Sequence, residues 1–146
     1  MSANTMIAVR DAVADMLRTD LGVTVVASWL PDITNPATTL ATPRIDVIAI
    51  GTEYVSGSRV GEVETITLGI CLRRFGADAA TAEAHGQQFT SLVDALFAAS
   101  KLNGTAFILR ELAVSEVIDA YVLRDSAVCM GVIEAKYAVA QLVGRN

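Results

Sequence analysis

Histidine occurs once in this 146-residue chain, as His85, and cysteine twice, as Cys71 and Cys129, with no CxxC or Cys/His ligand spacing. A structural or catalytic metal needs several such ligands converging on one point. No metal centre is therefore expected, and the two thiols read as free, buried cysteines rather than a disulfide. Charge is also scarce: 18% of residues are charged and 53% hydrophobic, whereas soluble domains carry roughly a quarter charged residues. At a net charge of -5 with no run of Lys or Arg, the chain lacks the basic stripe that supplies most affinity for nucleic acid. Uninterrupted apolar stretches are missing too. "MIAVRDAVADML" is cut by Arg10, Asp11 and Asp15, far short of the roughly 20 apolar residues of a membrane-spanning helix. The same charges exclude a secretory h-region, so synthesis inside a cell is expected.

Phosphate-binding and nucleophile motifs are absent as well. "GTEYVSGSRVG" holds glycines but has neither the strand-to-helix setting nor the Lys-Ser/Thr pair of a phosphate loop. Ser91, His85 and Asp94 would all fall on one helix without a nucleophile elbow. Cys71 with His85 would need a chance meeting in space. Glu62 and Glu64 share one strand face, where like charges mean solvated surface. No catalytic residue and no cofactor is expected, and the chain is not read as an enzyme.

What the sequence does hold is an oily single domain spanning residues 1–146. A small protein has much surface per unit volume, so its surplus apolar residues crowd the core or wait for a partner. A mean hydropathy of +0.48 therefore suits an oligomer subunit. Val9, Val13, Met16, Leu17 and Leu21 recur at helical spacing from about Thr5, and Gly22 is a plausible C-cap. "VTVVASW" reads as a strand. The fourteen-residue loop "LPDITNPATTLATP" carries all three prolines and is expected to add nothing to the core. Loops of that length often dock on something. A hairpin follows, with arms Arg44 to about Thr52 and Val63 to Phe75. In the second arm Ile66, Leu68, Ile70 and Leu72 alternate with Thr65, Thr67, Gly69, Cys71 and Arg73. One face is oily; the other is small, mostly neutral and suited to close contact with another surface, or to a second internal layer.

Arg73 and Arg74 are consecutive strand residues, so they project to opposite faces and cannot form one clamp. Beyond them Asp78 or Thr81 caps a second helix running to about Leu102, with Ala82, Phe89, Leu92, Val93 and Leu96 inward. His85 lies on or beside that buried stripe, as a satisfied structural residue. Gly86 costs about 1 kcal/mol against Ala in a helix, which a close helix-to-sheet approach would explain. Two strands complete the chain, Leu112–Ile118 and Val128–Val139, joined through "DAYVLRDSA", in which Tyr121 to Leu123 are either strand or loop. The class is α+β, in the order α-β-β-β-α-β-β, with an extended hairpin.

The stretches "TPRIDVIAIGTE", "ITLGICLRRFGADAATAEAHGQQFTSLVDALF" and "GVIEAKYAVAQL", in this order of elements, resemble the tail-terminator and tail-completion proteins of long-tailed bacteriophages. The resemblance spans most of the chain and is one of pattern rather than invariant motifs. It implies two main helices packed on one face of a mixed, mostly antiparallel sheet, and a homo-oligomeric ring, commonly a hexamer. Such a ring ends growth of the tail tube and joins it to the head and neck. Its partners would be itself, the tail tube protein and a head-completion or connector protein, with DNA passing through the lumen unbound. The location implied is the virion, after synthesis in the host cytoplasm. The hairpin tip, with Tyr54, Val55, Arg59 and Val60, is the first candidate contact with a neighbour or the tube, since Tyr and Arg favour interfaces. Asn35, Thr38, Thr39 and Leu40 of the Pro/Thr loop are the second. A connector or neck subunit is the alternative within this class, and a small α+β enzyme or ligand-binding domain the alternative outside it. A nucleic-acid regulator ranks last.

Overall fold

Alternation in three long strands decides the architecture. The computed structural model describes residues 2–30, 36–56, 62–102 and 105–139. Among these, nine elements follow one another: α1 (Ser2–Leu21), β1 (Thr24–Ser28), α2 (Pro36–Thr39), β2 (Arg44–Ser56), β3 (Glu62–Phe75), α3 (Ala79–Ala98), β4 (Phe107–Glu116), α4 (Ala120–Ser126) and β5 (Val128–Val139). The strands form one sheet in the order β1-β2-β3-β5-β4. β1 runs parallel to β2, and every other pairing is antiparallel. The α+β class, the mixed sheet and the long hairpin follow the expectation; α2 and α4 are additional short helices.

Side chains on successive strand residues point to opposite faces. On one face Ile45 and Val47 of β2, Ile66, Leu68, Ile70 and Leu72 of β3, and Ile133, Ala135 and Tyr137 of β5 are all fully buried. They pack against Val9, Val13 and Leu17 of α1 and Phe89, Leu92 and Leu96 of α3. Each large apolar side chain so buried stabilises the fold by about 1.5–3 kcal/mol. α1 ends as its sequence dictates: Gly22 takes the left-handed conformation (φ 65°) and its N–H reaches the Arg18 carbonyl at 3.1 Å. α3 starts at Asp78, whose carboxylate accepts from the Thr81 N–H at 2.7 Å.

Several expectations need correction. The Pro/Thr loop does contribute to the core: after the single turn of α2, Leu40 is 1% exposed, and its carbonyl accepts the Phe75 N–H at 2.9 Å. β4 begins at Phe107 rather than Leu112, because pairing with β5 continues to Phe107 opposite Val139. Within "DAYVLRDSA" a helix forms, since the Asp119 carboxylate accepts from the Tyr121 and Val122 N–H groups at 2.9 and 3.1 Å and nucleates the turn. Gly86 is not a point of close approach; a Cβ there would meet nothing within 4 Å. The close approach lies at Gly131 instead, where a Cβ would collide with the Val117 carbonyl and the Phe89 ring.

Candidate functional site

The residues with chemical potential are kept apart. His85 is fully buried on α3, and its Nε2 donates to the Val117 carbonyl at 2.8 Å, tying the helix to the segment between β4 and α4. Nδ1 is buried without a partner. Burial, and then the positive charge of Arg74, hold the imidazole below its ordinary pKa, opposed by the Val117 bond. The ring stacks over Phe89 at 6.1 Å. Its place on the buried stripe is as expected, but the ring is satisfied at Nε2 alone. Ser91 donates to the Gln87 carbonyl of its own helix at 3.3 Å, so no triad with His85 and Asp94 forms.

Cys71 lies on the opposite face of the sheet from α3, which rules out a Cys/His pair. Burial pushes its thiol up to about 11, away from the reactive thiolate. Cys129 is also raised by burial and contacts the Gly76 carbonyl at 3.4 Å. Both thiols are free. Glu64 accepts from the Thr52 hydroxyl across the hairpin at 3.1 Å. Among the described residues no group of three or more His, Cys, Asp or Glu could hold a metal ion, and no described helix is long and apolar enough to cross a membrane.

Arg73 and Arg74 do diverge. Arg74 reaches over to α3 and donates to Gln88 Oε1 at 2.5 Å. Arg73 lies on the open face beside Arg44, its cross-strand neighbour, and both donate to Asp46. Arg44 reaches Oδ1 through Nε and Nη2 at 3.1 and 2.9 Å, while Arg73 Nη2 takes Oδ2. The Asp46 side chain is fully buried beneath them. Two guanidiniums on one carboxylate offset the cost of desolvating that charge; the period-2 pattern gave the Arg73 direction, but nothing local pointed to Asp46.

That open face is where the surface chemistry concentrates, because no described helix covers it. Around Asp46 it carries Val26 of β1, Ile48 of β2, and Val132 and Ala138 of β5, in register with the polar positions of β3. Ile50 follows Asp46 and Ile48 onto the same face by alternation, and the β-bulge between Ala49 and Gly51 puts Gly51 there beside it. There the Ile50 side chain lies against Gly69, whose Cβ would stand 3.0 Å from Ile50 Cδ1, and 57% of Ile50 is exposed. Trp29 and Leu30, after β1, are exposed as well, Leu30 by 77%. Arg10 stacks over the Trp29 ring at 5.4 Å.

Two further features sit at opposite ends of the helix layer. Beside α1, past the end of α3, is a groove of about 540 Å3 with Ala8, Ala12, Met16 and Leu102 as apolar wall and Asp11, Asp15, Asp20 and Lys101 as charges. By the start of α3, α4 holds up Tyr121, 72% exposed, with Arg124 stacked on its ring at 5.1 Å.

Of the contact residues expected from sequence, Asn35, Arg59 and Val60 lie outside the described residues. Tyr54 and Val55 sit in β2 opposite Glu64 and Val63, and Thr38 in α2, with the backbone described at each. Thr39 is half-buried. Leu40 packs internally and presents nothing to a neighbour. Sequence reasoning did not single out Ile50, although the alternation Asp46, Ile48, Ile50 gives its direction, and it missed the Tyr121–Arg124 pair, whose helix was not foreseen.

No family model matches the chain, and no curated protein matches it. A solved structure described as "Virion of native gene transfer agent (GTA) particle" contains a chain similar to this one at 18% identity and a TM-score of 0.46, over 89% of this chain and 91% of that one.

Proposed function

We propose that the chain is a virion structural protein, and more finely a ring subunit that ends the phage tail tube and joins it to the head and neck. One observation carries this reading: the described helices clothe one face of the sheet only, and on the other Ile50 stands 57% exposed beside the half-buried Val26, Ile48 and Val132. A monomer pays for such a face in solubility, whereas a subunit buries it against neighbours. The sequence resemblance gives that assembly its form, a homo-oligomeric ring, commonly a hexamer in that family, contacting tube protein and connector. An acidic chain suits a lumen through which DNA slides without being held. A connector or neck subunit shares the same features and is separated from a terminator by its binding partner.

Light scattering and negative-stain imaging of the purified protein over a wide concentration range, alone and with tail tubes, test the reading. Closed rings, formed alone or on tube ends, are expected. A monomer at every concentration that ignores tubes and binds a small metabolite would overturn it in favour of a ligand-binding domain or enzyme.

A further inference from the structure

Resting on the ring reading, the geometry points to one joint between copies: Tyr121 and Arg124 of one chain seat in the groove beside α1 of the next. The occupant is a second copy of this chain, because no copy can fill its own groove. Tyr121 belongs to α4, which is tied through Val117 to His85 near the start of α3, while the groove is lined by Ala99, just past its end. His85 and Ala99 alone are separated by roughly 20 Å of helix.

Size, apolarity and charge all match. A groove of about 540 Å3 falls within the range of roughly 300–1,000 Å3 that holds ligand-sized groups, ample for an aromatic ring. Ala8 and Ala12 leave room for the ring, and Met16 offers a thioether that favours aromatic contact. Around them stand three carboxylates against one ammonium, Lys101. Arg124 brings the opposite charge to the acids, and Asp125 beside it can meet Lys101. Asp11 already accepts from Arg10 at 3.0 Å and Asp15 from Arg18 at 2.6 Å, but the two carboxylates are 50% and 75% exposed, and such surface pairs are weak enough to be exchanged. Tyr and Arg are the residue types that dominate interface energetics. Because the two surfaces differ, the contact is heterologous, the kind that closes into rings or continues into filaments.

A charge exchange tests this on the full chain. Arg124→Glu and Asp15→Arg are each expected to weaken self-association about tenfold or more by analytical ultracentrifugation, and the double variant to recover most of it. Circular dichroism and thermal melting check that each variant folds, since both sites are exposed. A Tyr121→Cys, Ala12→Cys pair should form a disulfide between chains, visible as a ladder on a non-reducing gel. Rings that form normally in both single variants, with no cross-linked ladder, would overturn the joint and leave the ring reading standing. A chain that never associates, even on tubes, would overturn both.

Discussion

On its helix-covered side β3 carries Ile66, Leu68, Ile70 and Leu72, all fully buried. The alternate residues, Thr65, Thr67, Gly69, Cys71 and Arg73, face a side that no described helix covers. The same strand thus supplies the packed interior and a surface left for contact. On the first side apolar volume is fixed by neighbours in the chain. On the second, a bulge, a glycine and an arginine-bracketed carboxylate shape a surface on which Ile50 stays exposed. Substitutions on the two sides should therefore separate folding from association.

The largest effect is expected on the covered side. Leu68→Ala should destabilise the monomer fold by about 2–5 kcal/mol, read as a lower midpoint in chemical denaturation. Ile50→Ser on the bare side should change that midpoint by less than about 1 kcal/mol, as surface substitutions do, while reducing assembly. Equal losses of stability would erase the contrast between the faces. Next is Gly131→Ala: its added carbon meets Val117 and Phe89, so overpacking should cost about 1–3 kcal/mol.

The third effect depends on pH. The folded-state pKa of His85 is depressed, so below its unfolded value the unfolded chain binds the extra proton. Its contribution is fully present above about pH 6.5 and is lost as pH falls toward the folded pKa. Denaturation curves at pH 7.5 and 5.5 should show the wild type weakening, and His85→Gln should remove that part of the slope. Smallest, and opposite in sign, is Gly86→Ala. Open space around that position should let the helix gain up to about 1 kcal/mol, visible as a higher melting temperature.

Strong periodicity made much of this fold legible. α1, the β2–β3 hairpin, α3 and β5 each repeat their pattern over ten or more residues, and the Asp78 cap and Gly22 terminus were marked by residue type. The opposite directions of Arg73 and Arg74 and the buried place of His85 followed from the same periods. What stayed hidden was set by tertiary partners. Leu40 is buried because a single helical turn folds it beside Phe75. The need for glycine at position 131 comes from Phe89 and Val117, remote in sequence. α4 is too short for a period to register, and the groove beside α1 forms only where Ala99, Lys101, Leu102 and Thr105 come to lie against that helix.

The guanidinium bracket on Asp46 has a mechanical consequence. Arg44 and Arg73 face each other at the base of the hairpin, so that end is riveted across two strands, whereas the irregularity at Ile50 interrupts the ladder partway along. Beyond Ile50 the ladder resumes as far as Ser56 opposite Glu62, and β3 stays paired with β5 out to Thr65 opposite Ala138, so the hairpin is anchored by a shared carboxylate at its base and by a third strand along its middle.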